Sequence, residues 1–371
     1  MTRVLISGGS IAGLGAGVAL HRAGVDVQVF ERDAGPLRST GAGLVVQREL
    51  LALLRNAGAS LPMTRCAGRR TLGFDGQVGF LQRMPQQFTS WDAVHSALAG
   101  SFPEDRYHRG ARVEGLPELA GRDITVSISG FGELQADLLI AADGAQSPAR
   151  RLLYPELEPQ YAGYVAWRGT LPERDMTSGL MKTFDDVFTF AEARSGGHAL
   201  AYFIPGPEQS TEVGHRRMNW VWYVGATPAE RDALLLTRDG YQRRSSLGRG
   251  MASDEAVANL FRKASLELHP MFAQLVEATS EPFLQTIVDL AVPATVVGRT
   301  VLIGDAAYVV RPHTAGGAAK AARDALAIAE VLSGPLPDVD AALAAFERDQ
   351  MAYGRDLLDY GVQLGRRWAR L

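Results

Sequence analysis

The chain opens on a short apolar run, Val4-Leu5-Ile6, which breaks at Gly8-Gly9 and resumes as a helical pattern from Ile11 through Leu14 to about Ala23. A second apolar run, Val27-Gln28-Val29-Phe30, ends on Glu31. Strand, tight turn, helix and strand in this order predict a βαβ unit. A helix is predicted over 49–56. Leu72, Phe74, Val78 and Phe80, placed about Asp75-Gly76, predict a hairpin over 71–88. Thr89-Ser90-Trp91-Asp92 reads as the cap of a helix that ends near Leu98. Ile124, Val126 and Ile128 alternate as a strand, and 136–142 is a buried strand that stops at Asp143-Gly144. From Tyr161 the pattern changes. The runs 164–169, 187–190, 198–203 and 219–223 are rich in aromatic residues and separated by Gly, Pro and charged turns, which predicts an antiparallel sheet with no intervening helices. The polar stretch 231–246 reads as an exposed excursion. Helices over 254–264 and 273–278 and a strand over 283–288 return the chain to the α/β frame. Val301-Leu-Ile-Gly304-Asp305 is then a strand and turn, followed by a Pro-containing loop and a helix through Asp324-Ala325. Leu343, Phe346, Leu357, Tyr360, Leu364 and Trp368 mark amphipathic helices that close the chain.

Chemistry sits at three strand ends. Gly8-x-Ser10-x-x-Gly13 follows the first strand and opens the first helix, as a dinucleotide fingerprint requires. Gly8 permits the turn and Gly13 lets helix pack on strand, while Ser10 stands where the middle glycine is usual. Glu31 follows Gly13 by 18 residues, near the distance at which an acid meets the adenosine ribose. Asp143-Gly144 is the second carboxylate-glycine strand end, with Arg150 and Arg151 just beyond as charges for a phosphate or as solvated helix charges. Gly304-Asp305 is the third. Its carboxylate can hold a ribityl hydroxyl, and the N–H groups of the helix that follows favour electron-rich oxygen. All three ask for one ligand, a flavin dinucleotide. Gly41-x-Gly43 suggests backbone passing close to something flat or phosphorylated, and a simple loop accounts for it as well.

Length and charge narrow the field. At 371 residues with 46% hydrophobic content the chain can bury a large core, as one domain or two joined ones. A net charge of -3 leaves no polyanion footprint, so nucleic acid is not an expected partner. Cys66 is the only cysteine and reads as an inert small hydrophobe in a reducing compartment. No signal-peptide pattern and no apolar run near the ~18 residues of a membrane span are seen, so a cytoplasmic protein with no membrane contact is expected.

The three motifs, in this order and spacing, resemble those of the single-component FAD-dependent aromatic hydroxylases of the para-hydroxybenzoate hydroxylase type, over essentially the whole chain. The resemblance implies a Rossmann-like FAD-binding α/β domain (1–70, 92–158 and 270–371) carrying an inserted, mainly antiparallel β-sheet substrate domain (71–91 and 159–269) and C-terminal helices. It implies FAD held by Gly8, Ser10, Ile11, Ala12, Gly13, Glu31 and Arg32. Gly43, Leu44 and Gln47, then Asp143 and Gly144, and finally Gly304, Asp305, Pro312, Gly316, Gly317 and Ala318 complete the set. Gly41-Ala-Gly-Leu-Val-Val-Gln47, Thr89-Ser-Trp-Asp92, Tyr161-Ala-Gly-Tyr-Val-Ala-Trp-Arg168-Gly169 and Arg311-Pro-His-Thr314 are similar to the 2,6-dihydroxypyridine hydroxylase branch. The chain departs from the common Pro-x-x-Gly-Gln-Gly-x-Asn pattern at Ala315, Gly316 and Ala319, and has Tyr308 where many relatives have His.

The implied reaction uses NADPH or NADH to reduce FAD and O₂ to form a C4a-hydroperoxide, whose distal oxygen passes to an electron-rich hydroxyaromatic or N-heteroaromatic ring. Trp167, Arg168, Tyr202, Trp222, Pro312 and His313 are the expected substrate contacts. His313 beside Pro312 is the expected base for the ring hydroxyl, and a structural helix-entry histidine is the plain alternative. The expected state is a monomer or homodimer, with no metal site. Three other readings share the frame: a flavin halogenase, an oxygen-independent FAD reductase, and a flavin- or ligand-binding protein without turnover. Trp220-Val-Trp222 matches half of a halogenase motif, but Val224-Gly225 follows it and no lysine precedes Lys182.

Overall fold

The computed structural model describes residues 2–35, 43–118, 123–333 and 339–368. Gly41 and Ala42 of the second glycine pair lie outside them.

The Arg3–Ser7 strand is central to a six-stranded sheet. It pairs in parallel with Asp26–Glu31 on one side and Leu138–Ala141 on the other. Tyr107–Arg109 and Thr300–Leu302 extend the sheet in parallel, and antiparallel Val296–Val297 ends it. Val4 and Ile6 face the Ile11–Arg22 and Gly317–Ser333 helices. Leu5 points the other way, with Phe30 and Leu139, onto a three-stranded sheet over 113–136. Covered on both faces, the strand is apolar at successive positions rather than at alternate ones. Glu31 ends its own strand, and Asp143 and Asp305 follow theirs within a few residues, so all three carboxylates reach one edge of the sheet.

The second large sheet has ten strands. Its order begins Ser246–Leu247, Phe283–Ala291, Gln160–Pro172, Arg217–Gly225 and His198–Ile204. It continues through Val187–Glu192, Thr64–Leu72, Gln82–Ser90 and Gly43–Val45, with Tyr308–Val309 against Phe283–Ala291. Pairing is antiparallel except between Val187–Glu192 and Thr64–Leu72. This sheet extends beyond the segments expected for it. It takes in Gly43–Val45, the start of Thr64–Leu72, and Phe283–Ala291, so boundaries at 71 and 270 both cut across its packing.

Three local expectations change. The hairpin turns at Asp75-Gly76 as expected, with Leu72 bridging Val78, but its main pairing joins 64–69 to 82–88, and Phe80 is fully exposed. Its second arm, Gln82–Ser90, is mostly polar and carries no alternating signal, so the pattern pointed to the tip instead. The aromatic strands do have an intervening helix, Ser178–Phe184, whose Leu180 and Phe184 are buried and whose Phe184 meets Phe272 edge-on. Seven residues are too few to show a helical period. At the C-terminus one helix, Val339–Trp368, replaces the several expected. Gly354 sits in its middle without ending it, because a Cβ there would strike the Tyr308 ring at 2.7 Å.

The first turn allows no tolerance. A Cβ on Gly13 would lie 1.8 Å from the Gly8 carbonyl oxygen, a backbone atom that cannot swing aside. Gly13→Ala is therefore expected to destabilise the chain by at least ~2 kcal/mol, seen as a lower Tm and lost cofactor. Gly35→Ala, where the added carbon meets nothing within 4 Å, should leave Tm unchanged.

Candidate active site

The first glycine turn is bound into the protein by its own carboxylate. Gly8 has φ +103°, which an L side chain rarely adopts, and a Cβ would meet the Ala142 carbonyl. The Gly9 N–H donates to Glu31 Oε2 at 2.7 Å, and the Asp33 N–H to Oε1 at 2.9 Å. The Gly9 carbonyl accepts from Tyr107 Oη at 3.3 Å and faces His95 Nε2 at 3.1 Å. Glu31, expected to meet an adenosine ribose, thus also shapes the turn, and each oxygen keeps a further lone pair. Ser10 caps the Ile11–Arg22 helix without a side-chain bond. The N–H groups of Ile11, Ala12 and Gly13 have no intrahelical partners and carry the positive end of the helix dipole.

Asp143 follows the neighbouring strand. Its Oδ2 accepts from the Ala149 N–H at 3.3 Å and Ser7 Oγ at 3.4 Å, while Oδ1 is buried without a partner. Burial pushes this carboxyl above its usual range, against the pull of the Ser147 and Ala149 hydrogen bonds. Arg150 does not serve as a free phosphate charge. It is buried, and its guanidinium donates to the carbonyls of Ala306 and Ala145 at 3.2 and 2.6 Å, tying two loops together. Arg151 donates to the Gln146 carbonyl.

The third turn rests on a buried ion pair. The Gly304 N–H donates to Asp324 Oδ2 at 2.8 Å. Lys320 Nζ donates to the same oxygen at 2.6 Å and to the Gly304 carbonyl at 3.1 Å. Both side chains are 2% exposed. Gly304 takes φ +59°, and Asp305 projects from the turn into the cleft with no hydrogen-bond partner among the described residues. Asp305 is open on its cleft side yet sits at the cleft floor, where burial raises its carboxyl and Lys320 partly opposes that. Asp324 was legible as part of the motif, but Lys320 carried no signal, since lysine on a helix is ordinarily solvated.

These three ends line a cleft of about 610 Å³ that includes Ser7, Gly8, Ser10, Glu31, Arg32, Asp143, Gly144 and Asp305. Sequence reasoning missed its other wall: Trp91, Arg112, Arg243, Ser246 and Gln285. Arg243 and Ser246 belong to the supposed excursion, which folds back onto the cleft through Ser246–Leu247 pairing with Phe283–Ala291. A flavin dinucleotide fits this set of residues. The orphaned Asp143 oxygen, the unpartnered Asp305 carboxylate and the open N–H groups of a helix start suit ribityl hydroxyls and a pyrophosphate.

A second loop faces the ten-stranded sheet. Gln47 Nε2 donates to the Ala315 carbonyl at 2.7 Å, joining the start of one helix to the Pro312–Thr314 turn. Ala315 has φ +51°, left-handed geometry that the usual glycine would take freely. The Gly316 N–H donates to Thr314 Oγ1, and Gly317 and Ala318 begin the long helix. Gly43 passes so close to Asn219 and Tyr202 that a Cβ would lie 2.7 Å from each, and Leu44 packs on the core of the parallel sheet. His313 Nε2 lies 2.8 Å from Tyr164 Oη, with Tyr223 and His198 rings at 4.4 and 5.2 Å. Behind Tyr164, Arg311 pairs with Asp289 at 2.6 Å.

The expected substrate contacts divide between the two faces of the sheet. Tyr202, Arg168 and Tyr223 share the face that meets His313, and both tyrosines feel the Arg168 charge. Trp167 and Trp222 point to the opposite face. There they pack against helices over 254–277 and line a separate cavity of about 430 Å³. Adjacent strand residues face opposite ways, so Trp167 and Arg168 cannot both reach one ligand.

An FAD binding domain model matches residues 1–75, and an FAD binding domain-like model matches 161–289. The chain is 34% identical to 2,6-dihydroxypyridine 3-monooxygenase of Paenarthrobacter nicotinovorans over 360 residues, covering 96% of this chain and 89% of that one. It is 28% identical to aurachin C monooxygenase/isomerase of Stigmatella aurantiaca, covering 98% and 88%. The solved 2,6-dihydroxypyridine-3-hydroxylase of Arthrobacter nicotinovorans superposes with a TM-score of 0.92 at 32% identity, covering 99% of this chain and 93% of that one. No described helix is long and apolar enough to cross a membrane.

Two outcomes follow from the buried charges. Lys320→Met leaves Asp324 unpaired and should cost ~3–5 kcal/mol, whereas Lys320→Met with Asp324→Asn should recover part of it; thermal melts with FAD present measure both. Burial takes His198 down to about 3 and His313 to about 4, aided for His198 by His313 and for His313 by Arg311. Both fold neutral. Their stabilisation is complete above the ordinary histidine value of about 6.5 and is lost as pH falls toward 4 and then 3, because the unfolded chain takes up protons first. The His313 share is on the order of 3 kcal/mol. Urea melts across pH, compared with His313→Asn, should show the wild type losing more stability between about 6.5 and 4.

Proposed function

The chain belongs to the single-component FAD-dependent aromatic hydroxylases of the para-hydroxybenzoate hydroxylase type, and we propose that its substrate is a small hydroxylated pyridine-like ring. FAD is its cofactor, NAD(P)H its reductant and O₂ its co-substrate. The flavin, once reduced, activates O₂ and supplies an electrophilic oxygen; the protein places the ring and excludes water. Glu31, Asp143 and Asp305, with the N–H groups that open the Ile11–Arg22 helix, would hold the dinucleotide.

The observation that carries the substrate reading is the polar patch within an aromatic surface. Arg168, Tyr202 and Tyr223 share one face of the sheet, and His313 of the Pro312–Thr314 turn packs against Tyr223 on that face. A flat ring can lie on the aromatic side chains while its oxygens meet the polar groups. The relatives' names point the same way, since 2,6-dihydroxypyridine 3-monooxygenase and 6-hydroxynicotinate 3-monooxygenase both act on hydroxylated nitrogen rings. Pro312, next to His313 in the same turn, would close one side of this space.

His313 is neutral near pH 7, so it can accept a proton, but its lowered basicity makes it a weak driving force. Its bond to Tyr164, whose hydroxyl burial keeps protonated, supports a role in passing a proton away from the ring hydroxyl. Arg311, paired to Asp289 behind Tyr164, holds this arrangement in place.

A panel of hydroxypyridines, hydroxynicotinates and phenols tests the reading through NAD(P)H oxidation and product mass. A hydroxypyridine product heavier by one oxygen is expected. Oxidation without oxygen incorporation, or turnover confined to simple phenols, would count against it. His313→Ala should keep FAD and slow hydroxylation by ~10²-fold, the low end for a proton-transfer residue, with less product per NAD(P)H oxidised.

A further inference from the structure

Arg168 occupies a central position in the ten-stranded sheet. It stands opposite Val221 on one neighbouring strand and Phe283 on the other. Its neighbours in sequence face away: Trp167 belongs to the opposite core, and a Cβ on Gly169 would touch Trp220 there. Arg168 therefore lies on the inner face with Tyr202 and Tyr223.

The guanidinium is without a counter-ion. It is half-buried, its Nε is shielded from solvent, and among the described residues it has neither a hydrogen-bond partner nor a carboxylate. Four other arginines around the sheet are satisfied, Arg311 by Asp289, Arg216 by Glu173, Arg217 by Asp92 and Arg249 by Thr170 Oγ1, while Arg70 on the Thr64–Leu72 strand likewise has a buried, unpartnered Nε. A second unused donor lies close by. Asn219 stands opposite Thr170, two residues from Arg168 on the same face. Its Oδ1 accepts from the Gly43 N–H at 3.1 Å, which fixes the amide, and its Nδ2 is buried without a partner. Diagonal neighbours of this kind are roughly 7–8 Å apart, a distance one small ring can bridge.

The titratable groups of this face cannot neutralise Arg168. Tyr202 and Tyr223 are kept protonated by burial, and the adjoining Tyr164 likewise. His198 and His313 are neutral, and Arg249 beyond Thr170 is another cation. A partly buried cation without a partner is costly, and a ligand anion is what offsets that cost.

We infer that Arg168 and the Asn219 amide form an oxyanion subsite that binds the ring substrate in its deprotonated form. Arg168 would make the ring hydroxyl more acidic on binding, and His313 would need only to carry the proton away. The choice of ligand rests on the hydroxylation reading above, but the subsite is tested without turnover.

The probe is 4-nitrophenol bound to the FAD-loaded protein, with 4-nitroanisole as a ring that cannot ionise, each followed by flavin difference spectra on either side of the phenol's own pKa. Wild type should bind the phenolate about 10–100-fold more tightly than the neutral phenol. Arg168→Gln should lose that preference while retaining FAD and its affinity for 4-nitroanisole, and Arg168→Lys should regain part of it. Asn219→Asp supplies a counter-ion beside Arg168 and should abolish phenolate binding, which keeps the test valid if Arg168→Gln does not fold. Equal binding of both phenol forms, or of neither, by wild type would overturn the inference. So would an unchanged preference in Arg168→Gln, or loss of FAD by that variant, which would give Arg168 to the cofactor. A protein that prefers phenolate through Arg168 but hydroxylates no ring upholds the subsite and fails the functional reading; a hydroxylase that binds only neutral rings does the reverse.

Discussion

Everything in the cleft depends on the parallel pairing of Arg3–Ser7 with its two neighbours. That register sets Ser7 against Phe30 on one side and Ala141 on the other, and Ala141 against Leu302. Parallel strands end together, so Glu31, Asp143 and Asp305 arrive at one edge although they are spread across most of the chain. None of the three could be moved to another strand position without losing that convergence. Glu31 and Oδ1 of Asp143 are also buried there, and each turn must supply or receive backbone hydrogen bonds to remain in place. Glu31 does so directly through Gly9 and Asp33, whereas Asp305 relies on Lys320 and Asp324 beneath its turn.

The same constraint explains where the protein spends buried charge. Lys320, Asp324 and Arg150 all lie within the structure rather than on it, and none is free to meet a ligand. Each holds a loop by donating to, or accepting from, backbone groups. Buried ions of this kind are weak contributors to net stability and strong determinants of local geometry, because breaking one leaves an uncompensated charge. Arg150 Nε and Asp324 Oδ1 also lack partners, but those side chains lie within the packing, whereas Asp143 lines the cleft and Arg168 lies on the sheet face shared with Tyr202 and Tyr223.

The ten-stranded sheet applies a different rule. Its central strands are buried on both faces, so they are largely apolar and aromatic, and composition alone does not separate one face from the other. Alternation does. It sends Trp167, Trp220 and Trp222 to the helices and Arg168, Tyr202 and Tyr223 to the face that His313 packs on. The largest aromatic side chains of this sheet therefore build its packing, and smaller polar-tipped ones occupy the opposite face.

The sequence by itself determined the βαβ opening, the three carboxylate-glycine strand ends and the family, because these depend on short-range rules: apolar runs, turn glycines and fixed spacing. It also marked Arg168, Tyr202 and His313, though alongside Trp167 and Trp222, which the fold turns away. Only the tertiary structure decided which strands share a sheet, since pairing such as Val187–Glu192 with Thr64–Leu72 leaves no local signature. The same holds for Arg243, Ser246 and Gln285, which reach the cleft only because a polar excursion is pulled back by an edge strand. Whether an arginine is paired is likewise a fact about neighbours distant in the chain. Arg311 meets Asp289 and Arg168 meets no carboxylate among the described residues, and nothing in their flanking residues distinguishes the two.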